Sequence, residues 1–294
     1  MFDGFTLDMI PVGDVTLRVR HGGSGPPVLL LHGHPRTHAT WHRVAPLLAR
    51  SHTVVCPDLR GYGASSKPGT VADHSTYSKR AMAADCISLM QSLGHERFAI
   101  VGHDRGSYVA FRTAMDYPSV IERLVIFDGV PIIEALERCN ERFATAWWHW
   151  FFFAQRDKPE RAILVDPDGW YGGTAAAMGE EAYTDYRKAI HDPQTVHAML
   201  EDYRAGLGID KQHDEADRAR GQRLNCPLLV LWALDDDLEL LYGDVLAIWR
   251  LWANDVRGHG LRCGHHMSEE APDVLAVALL TFLNENPSAS ENRQ

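Results

Sequence analysis

Short apolar runs alternate along the chain with longer segments that have the residue spacing of helices. Runs rich in valine, leucine and isoleucine indicate buried strands, and longer amphipathic stretches indicate helices. The predicted strands cover residues 5–10, 15–19, 28–31, 53–56, 98–101, 124–127, 228–232 and 256–261. The predicted helices cover residues 41–49, 78–93, 107–115, 241–252 and 273–284. This alternation is typical of a largely parallel sheet with helices on both faces.

The strand pattern stops between residues 132 and 223, where the sequence becomes helical in pattern and rich in aromatic residues. It resumes at residue 228, so this block is inserted between the sixth and seventh strands. We therefore predict an α/β core made of residues 1–131 and 224–294, built on a mostly parallel eight-stranded sheet. Residues 132–223 are predicted to form a helical cap, or lid, over that core.

An aspartate occupies the turn between the fifth predicted strand and the helix that follows it, in the pattern Gly102-x-Asp104-x-Gly106. Glycines two residues to either side allow a tight strand-to-helix turn that presents the central side chain, as in a nucleophile elbow. A carboxylate is already ionised, so it can attack a saturated carbon that bears a leaving group and form an ester. The simpler alternative is that Asp104 only caps the helix.

Two further segments suit the same chemistry. The loop around His34 follows the third strand. The backbone N–H groups of His34 and Arg105 are placed to hold negative charge. The alternative is that this loop is an ordinary Gly-Pro turn. His265 follows the last strand, where a base that activates water is expected, and His266 is its neighbouring rival.

The acid that orients the base has two possible locations. Asp128 follows the sixth strand, and residues 235–237, all aspartate, follow the seventh. Either place allows a carboxylate to accept a hydrogen bond from the second ring nitrogen of the base. The residues alone leave this choice open.

Composition narrows the class of function. The chain has 294 residues, of which 45% are hydrophobic. Its formal net charge is −10, and it has no cluster of lysine or arginine. This charge pattern argues against a nucleic-acid partner and favours a small-molecule substrate. Its five cysteines are single and odd in number, without zinc-type spacing, so we interpret them as reduced thiols. No segment has the pattern of a secretory signal or a membrane span, so we expect a cytoplasmic protein without membrane contact.

Several stretches together resemble the fluoroacetate/haloacetate dehalogenases, a family of α/β-hydrolases related to haloalkane dehalogenases and soluble epoxide hydrolases. The resemblance extends over almost the whole chain. The matching stretches are HGHPRTHATWH at 32–42, PDLRGYG at 57–63, HDRG at 103–106, WHWFF at 148–152, DYRA at 202–205, and GH at 264–265 with EEAP at 269–272.

The resemblance implies an α/β-hydrolase fold and a catalytic cycle. In it Asp104 displaces halide from a small 2-haloacid, His265 activates the water that hydrolyses the ester, and Asp128 is the preferred orienting acid. It also implies that His149, Trp150 and Tyr203 hold the departing halide, although an aromatic run of this kind is more often core. Carboxylate, imidazole and water complete the cycle, so no metal or organic cofactor is expected. A homodimer is a possible assembly, since dimers are common among these relatives.

One position departs from the family. Its members usually hold the substrate carboxylate with two arginines, one directly after the nucleophile and one three positions further on; this chain has Arg105 but Tyr108 at the second position. We expect weaker binding of a small haloacid. Either Arg36 compensates, or the substrate is larger and less anionic than fluoroacetate.

Two other functions remain open. An epoxide hydrolase with the same nucleophile would use a pair of lid tyrosines, Tyr203 with one of Tyr171, Tyr183 and Tyr186. A non-catalytic receptor on this fold would not form an ester with Asp104 at all.

Overall fold

The computed structural model describes residues 1–285, in which eight strands form one sheet in the order β1-β2-β4-β3-β5-β6-β7-β8. The strands are β1 (Thr6–Val12), β2 (Val15–Gly23), β3 (Pro27–Leu31), β4 (Thr53–Pro57), β5 (Phe98–His103), β6 (Ile121–Phe127), β7 (Leu228–Ala233) and β8 (Val256–Leu261). β2 is antiparallel to β1 and β4, and all other neighbours are parallel. The predicted mostly parallel eight-stranded sheet is confirmed.

Sixteen α-helices surround the sheet in the described part of the chain. They are α1 (Ala45–Leu48), α2 (Lys79–Ser92), α3 (Arg105–Asp116), α4 (Ile132–Glu137), α5 (Glu141–Ala146), α6 (Trp148–Phe153), α7 (Lys158–Val165), α8 (Pro167–Tyr171), α9 (Ala175–Met178), α10 (Glu180–Ile190), α11 (Pro193–Ala205), α12 (Lys211–Ala219), α13 (Leu238–Tyr242), α14 (Val245–Trp249), α15 (Met267–Glu270) and α16 (Pro272–Leu283). Helical turns also cover His38–Trp41, Ser75–Tyr77 and Gly206–Asp210. No helix within residues 1–285 has the length and apolar character needed to cross a bilayer.

Helices cover both faces of the sheet because successive residues of the buried strands point to opposite sides. In β5, Phe98 and Ile100 join one apolar cluster, while Ala99 and Val101 join another. The first cluster includes residues of α2 and α3, and the second includes residues of α1 and α16. The inner strands β3 and β7 are accordingly apolar at every position, as burial on both faces requires, whereas the edge strands β1 and β8 carry polar and exposed residues.

Two predicted helices are wrong in extent. The segment 41–49 forms a short helical turn and then α1, and the segment 241–252 is divided into α13 and α14. Gly243 ends α13 with φ 65°, and Asp244 caps α14 by accepting a hydrogen bond from the Ala247 N–H at 2.9 Å. A glycine in this conformation ends a helix whatever the apolar spacing beyond it.

The parallel register brings the ends of β5, β6, β7 and β8 to one edge of the sheet. Backbone hydrogen bonds extend past the strand ends, from the Asp104 N–H to the Phe127 carbonyl at 3.2 Å and from the Asp128 N–H to the Leu231 carbonyl at 3.1 Å. The loops after these strands are therefore neighbours, which is where α/β sheets hold their ligands. The helices α4–α12 all lie between β6 and β7, in the segment for which the sequence predicts a cap.

Candidate active site

Asp104 lies at the tip of the turn between β5 and α3, with φ 50° and ψ −118°. A Cβ on Gly102 would lie 2.2 Å from the Gly106 carbonyl oxygen, and one on Gly106 would lie 2.5 Å from the His32 carbonyl oxygen, so only glycine fits at either position. The Asp104 side chain makes no capping hydrogen bond to α3. The geometry is that of a nucleophile elbow and does not support the simple helix-cap interpretation.

The loop after β3 approaches the Asp104 carboxylate directly. The His34 N–H donates a hydrogen bond to Asp104 Oδ1 at 2.6 Å. Gly33 permits this approach, because a Cβ there would lie 2.4 Å from the same oxygen. The structure therefore brings the predicted backbone donor of His34 to the predicted nucleophile.

His265 faces two carboxylates with the same ring nitrogen. Its Nδ1 lies 2.9 Å from Asp236 Oδ2 and 3.4 Å from Asp128 Oδ2. Asp128 also accepts a hydrogen bond from the Ala233 N–H through Oδ1, at 2.8 Å. Asp128 as the orienting acid stays a prediction: the shorter contact is to Asp236 after β7, and Asp128 after β6 lies near the same nitrogen.

The carboxylates set the charge of this histidine. Burial opposes the imidazolium, but its contacts with the carboxylates of Asp128 and Asp236 and the nearby charge of Asp104 outweigh it and hold the pKa of His265 well above its usual value. Burial raises the pKa of Asp128. Burial opposes ionisation of Asp236 as well, but the hydrogen bond from His265 leaves its pKa below the usual value.

A cavity of about 280 Å³ opens at these residues, a size suited to a small molecule. Its lining combines carboxylates, imidazoles, aromatic rings and a few small or apolar residues. The lining residues are Asp104, Asp128, Asp236 and Asp237; His34, His149, His265 and His266; Tyr108, Trp147, Trp150 and Tyr203; and Pro35, Ala146 and Leu238. Within residues 1–285, neither lysine nor arginine belongs to this lining.

The three residues predicted to hold halide line the same cavity as Asp104. His149 and Trp150 lie on α6, and Tyr203 lies on α11. The ring centroid of Tyr203 lies 5.8 Å from that of His149 and 6.3 Å from that of Trp150. Burial, with the charges of Arg105 and His265, lowers the pKa of His149 to about 4. A neutral imidazole, an indole and a phenol each offer one N–H or O–H donor.

Arg105 does not lie at the cavity as expected. Its guanidinium is buried and donates to Asp202, with Nε 3.2 Å from Oδ2 and Nη2 3.1 Å from Oδ1. The guanidinium carbon lies 4.1 Å from the ring centroid of Tyr203. Within the described residues, Arg105 Nη1 is buried without a hydrogen-bond partner, and contact of this guanidinium with substrate stays a prediction.

Arg36 is also placed elsewhere. It donates to Glu269 with Nε 2.9 Å from Oε1 and Nη2 3.2 Å from Oε2, and it lies over the Tyr186 ring. This buried pair joins the loop after β3 to α15. The expectation that Arg36 replaces the missing arginine is therefore wrong, whereas Tyr108 does line the cavity.

The three lid tyrosines considered as partners of Tyr203 in an epoxide hydrolase do not belong to the cavity lining within the described residues. Tyr186 donates to the Gly172 carbonyl at 2.8 Å, Tyr183 packs beside it, and the Tyr171 ring lies against His34. The tyrosine that accompanies Tyr203 in the lining is Tyr108, on α3.

Two polar contacts near the cavity were not predicted from the sequence. The Trp147 indole N–H donates to Asp237, 2.9 Å from Oδ2, and Lys79 joins Arg105 on Asp202. The only sequence signal was indirect: Asp202 lies in one of the stretches shared with the dehalogenases, and Asp237 ends the aspartate run.

One group of possible metal ligands occurs within the described residues. Atoms of His103, Asp128 and His265 lie within 4.8 Å of one another. Asp128 and His265 already lie together because the imidazole contacts the carboxylate. Their proximity therefore needs no metal ion to explain it.

Comparison with known proteins agrees with the elbow, the cavity and the fold. A family model described as the alpha/beta hydrolase fold matches residues 26–268. A fluoroacetate dehalogenase from Burkholderia sp is 41% identical over 97% of this chain and 96% of its own length. The chain belongs to the fluoroacetate/haloacetate dehalogenase family of α/β-hydrolases. It is therefore a hydrolase, homologous to a dehalogenase over nearly its full length.

Other proteins that are similar to this chain are named for different activities or for the fold alone. A soluble epoxide hydrolase from Corynebacterium sp. (strain C12) is 31% identical over 88% of this chain and 91% of its own length. The crystal structure of ALR0039 from Nostoc sp PCC 7120 is similar with a TM-score of 0.93 and 41% identity, covering 97% of this chain and all of that one. This chain is thus similar to proteins named for both reaction types.

Proposed function

We propose that this protein is a hydrolytic dehalogenase that acts on a small 2-haloacid through a covalent ester at Asp104. In the first step a carboxylate oxygen of Asp104 attacks the carbon that bears the halogen. The new carbon–oxygen bond forms as the carbon–halogen bond breaks, and the electron pair leaves with the halide. Donors from His149, Trp150 and Tyr203 stabilise the anion as its charge develops, which lowers the barrier to departure.

In the second step water attacks the carboxyl carbon of the Asp104 ester. His265 takes the proton from this water, and Asp128 and Asp236 stabilise the resulting imidazolium. The backbone N–H groups of His34 and Arg105 hold the oxyanion that forms. Collapse of the intermediate breaks the bond between the Asp104 carboxyl carbon and the substrate oxygen, which takes the proton from the His265 imidazolium and leaves as the hydroxy acid. The Asp104 carboxyl group then loses its proton to solvent, which regenerates the carboxylate.

The observation that carries the proposal is the shared cavity. Asp104, His265 and the three donor residues all line one space of about 280 Å³. Displacement of halide needs a nucleophile that faces hydrogen-bond donors for the departing anion. Hydrolysis of the ester needs a base near the same nucleophile. The residues that line this cavity meet both requirements. The segment 132–223 supplies the donors, and we propose that it is the cap of an enzyme that works in the cytoplasm.

Halide release from fluoro-, chloro- and bromoacetate tests the reaction, with Asp104→Asn as the blank. A His265→Ala variant should accumulate the ester, visible as a mass increase on the peptide that contains Asp104. Release of halide by Asp104→Asn at the rate of the unmodified protein would refute the proposal, as would the absence of any ester in His265→Ala.

Epoxide hydrolysis is the second candidate, favoured by the presence of Tyr108 and Tyr203 in the same lining. Two phenols could protonate the alkoxide that forms when Asp104 opens an epoxide. Diol formation from a panel of small alkyl and aryl epoxides, without halide release from the haloacetates, would select this reaction.

A further inference from the structure

We propose that Asp236 and Asp128 jointly position His265, so that the base has two orienting acids and neither is indispensable. The inference rests on the proposed function, in which His265 activates water, and names a positioning residue for that step. Each acid acts through the imidazole.

The contacts of Asp236 carry the proposal. Its Oδ2 lies 2.9 Å from His265 Nδ1, closer than Asp128 Oδ2 at 3.4 Å. Asp236 accepts the hydrogen bond from Nδ1–H, while the buried Asp128 Oδ2 has no hydrogen-bond partner within the described residues and lies at ion-pair distance from the same nitrogen. Both negative charges favour the proton on Nδ1, which leaves Nε2 free to take a proton. The two acids come from different loops, after β6 and after β7, so the imidazole is held from two directions.

The environments of the two acids differ. The Asp128 side chain is 2% exposed and held by the Ala233 N–H, whereas that of Asp236 is 27% exposed and lines the cavity. Burial raises the pKa of Asp128, while the hydrogen bond from His265 keeps that of Asp236 low. Asp236 is thus the more readily ionised partner, and Asp128 is the more rigid one.

Other titratable groups also face this cluster. Asp104 and Asp237 line the cavity beside it, and the rings of His103 and His266 lie 4.7 Å and 5.2 Å from that of His265. The pKa values of His103 and His266 are lowered by burial, so both are neutral near pH 7. The charges that hold the imidazolium are therefore those of carboxylates.

The test compares Asp128→Asn, Asp236→Asn and the double variant with Asp235→Asn. Asp235 is a matched control: it belongs to the same run of aspartates, but its side chain is 55% exposed and lies 4.0 Å from Arg262. Each single variant should lower kcat for halide release about 10-fold, since the remaining carboxylate still sets the tautomer. The double variant should lose about 10⁴-fold, more than the product of the single effects.

Two outcomes overturn the proposal. If Asp236→Asn behaves like Asp235→Asn, Asp128 acts alone. If Asp236→Asn loses the full activity while Asp128→Asn is unaffected, Asp236 acts alone.

NMR titration of His265 gives a readout that does not depend on turnover. Each single variant should lower the pKa of the imidazole, because each removes a negative charge that favours the imidazolium. An unchanged pKa in Asp236→Asn contradicts shared positioning even if the double variant does not fold. If the unmodified protein forms no ester with any substrate, the proposed function fails, while this titration still decides whether the two acids share His265.

Discussion

Asp104 adopts φ 50° and ψ −118°, a conformation that a residue other than glycine occupies only when its surroundings enforce it. The cost is about 1–3 kcal/mol, and the close packing of Gly102, Gly106 and the loop at His32 enforces it here. The carboxylate is thereby aimed into the cavity instead of capping α3. A strained backbone at this residue is consistent with its role as a nucleophile.

The pH dependence of turnover should follow His265. Its pKa is held well above the usual value by Asp128, Asp236 and Asp104 against the effect of burial, so the resting enzyme carries an imidazolium. A base must be neutral to accept a proton, so kcat should rise as the pH rises through the raised pKa of His265. Ester formation removes the charge of Asp104, which moves the pKa of His265 downward before water attacks. Halide release measured against pH checks this.

The first chemical step provides the control for that profile. Attack by Asp104 needs no base, so ester formation in a single turnover should change little over the same range. A kcat that falls as pH rises would contradict the role given to His265.

Tyr108→Arg should strengthen the binding of haloacetates. The cavity lining, as described, contains four carboxylates and neither lysine nor arginine, so a carboxylate substrate finds no guanidinium or ammonium group among the lining side chains. A guanidinium at position 108 can form charge-assisted hydrogen bonds, and we expect KM for chloroacetate to fall about 10-fold. Steady-state kinetics of chloride release measures it.

Tyr108→Met is the matched control, since it removes the phenol without adding charge. An unchanged KM in a folded Tyr108→Arg variant would indicate that the substrate carboxylate lies away from this position.

At the scale of elements, buried ion pairs join the helices between β6 and β7 to the core. Asp202 on α11 binds Arg105 of α3 and Lys79 of α2. Arg112 of α3 binds Asp214 and Asp217 of α12. These contacts hold α11, and with it Tyr203, over the elbow.

Asp202→Asn should therefore destabilise the whole fold. It leaves the buried Arg105 without its carboxylate and leaves Lys79 with only Asp210, at 3.5 Å, which costs about 3–5 kcal/mol of the free energy of unfolding. Burial opposes the charge of Asp202, but Arg105 and Lys79 hold its pKa below the usual range, so this stabilisation is present above the unfolded pKa and is lost as the pH falls. Urea denaturation at neutral pH measures the loss.

Asp168→Asn gives the comparison at the surface, since Asp168 pairs with Arg187 and is 40% exposed. It should change stability by less than about 1 kcal/mol. If Asp202→Asn and Asp168→Asn lowered the free energy of unfolding equally, the ion pairs of Asp202 would not stabilise the contact between α11 and the core.

For the whole molecule, the sheet and the helical segment share one apolar cluster. Leu29, Ile100 and Val109 of the core lie in it together with Trp150 and Tyr203. We expect a single unfolding transition, with the same urea midpoint by far-UV circular dichroism and by tryptophan fluorescence. Two separate midpoints would mean that the helices unfold independently of the sheet.

The sequence predicted the eight strands well because a sheet buried on both faces needs continuous apolar runs. It predicted Asp104 from local spacing, since the elbow is made by residues within a few positions of one another. It misplaced Arg36 because the partner of that guanidinium, Glu269, is 233 residues away, and no local pattern reports such a distant pairing.

The sequence by itself determined which reactive groups the protein carries, where each lies relative to a strand, and hence the kind of bond that Asp104 can form. Only the tertiary structure decided that two carboxylates meet at His265 and that Arg105 and Arg36 pair with the buried carboxylates of Asp202 and Glu269. The physical reason is that hydrogen bonds and ion pairs act over about 3 Å. Such distances depend on how separate loops and helices pack, whereas strands and tight turns depend on neighbouring residues.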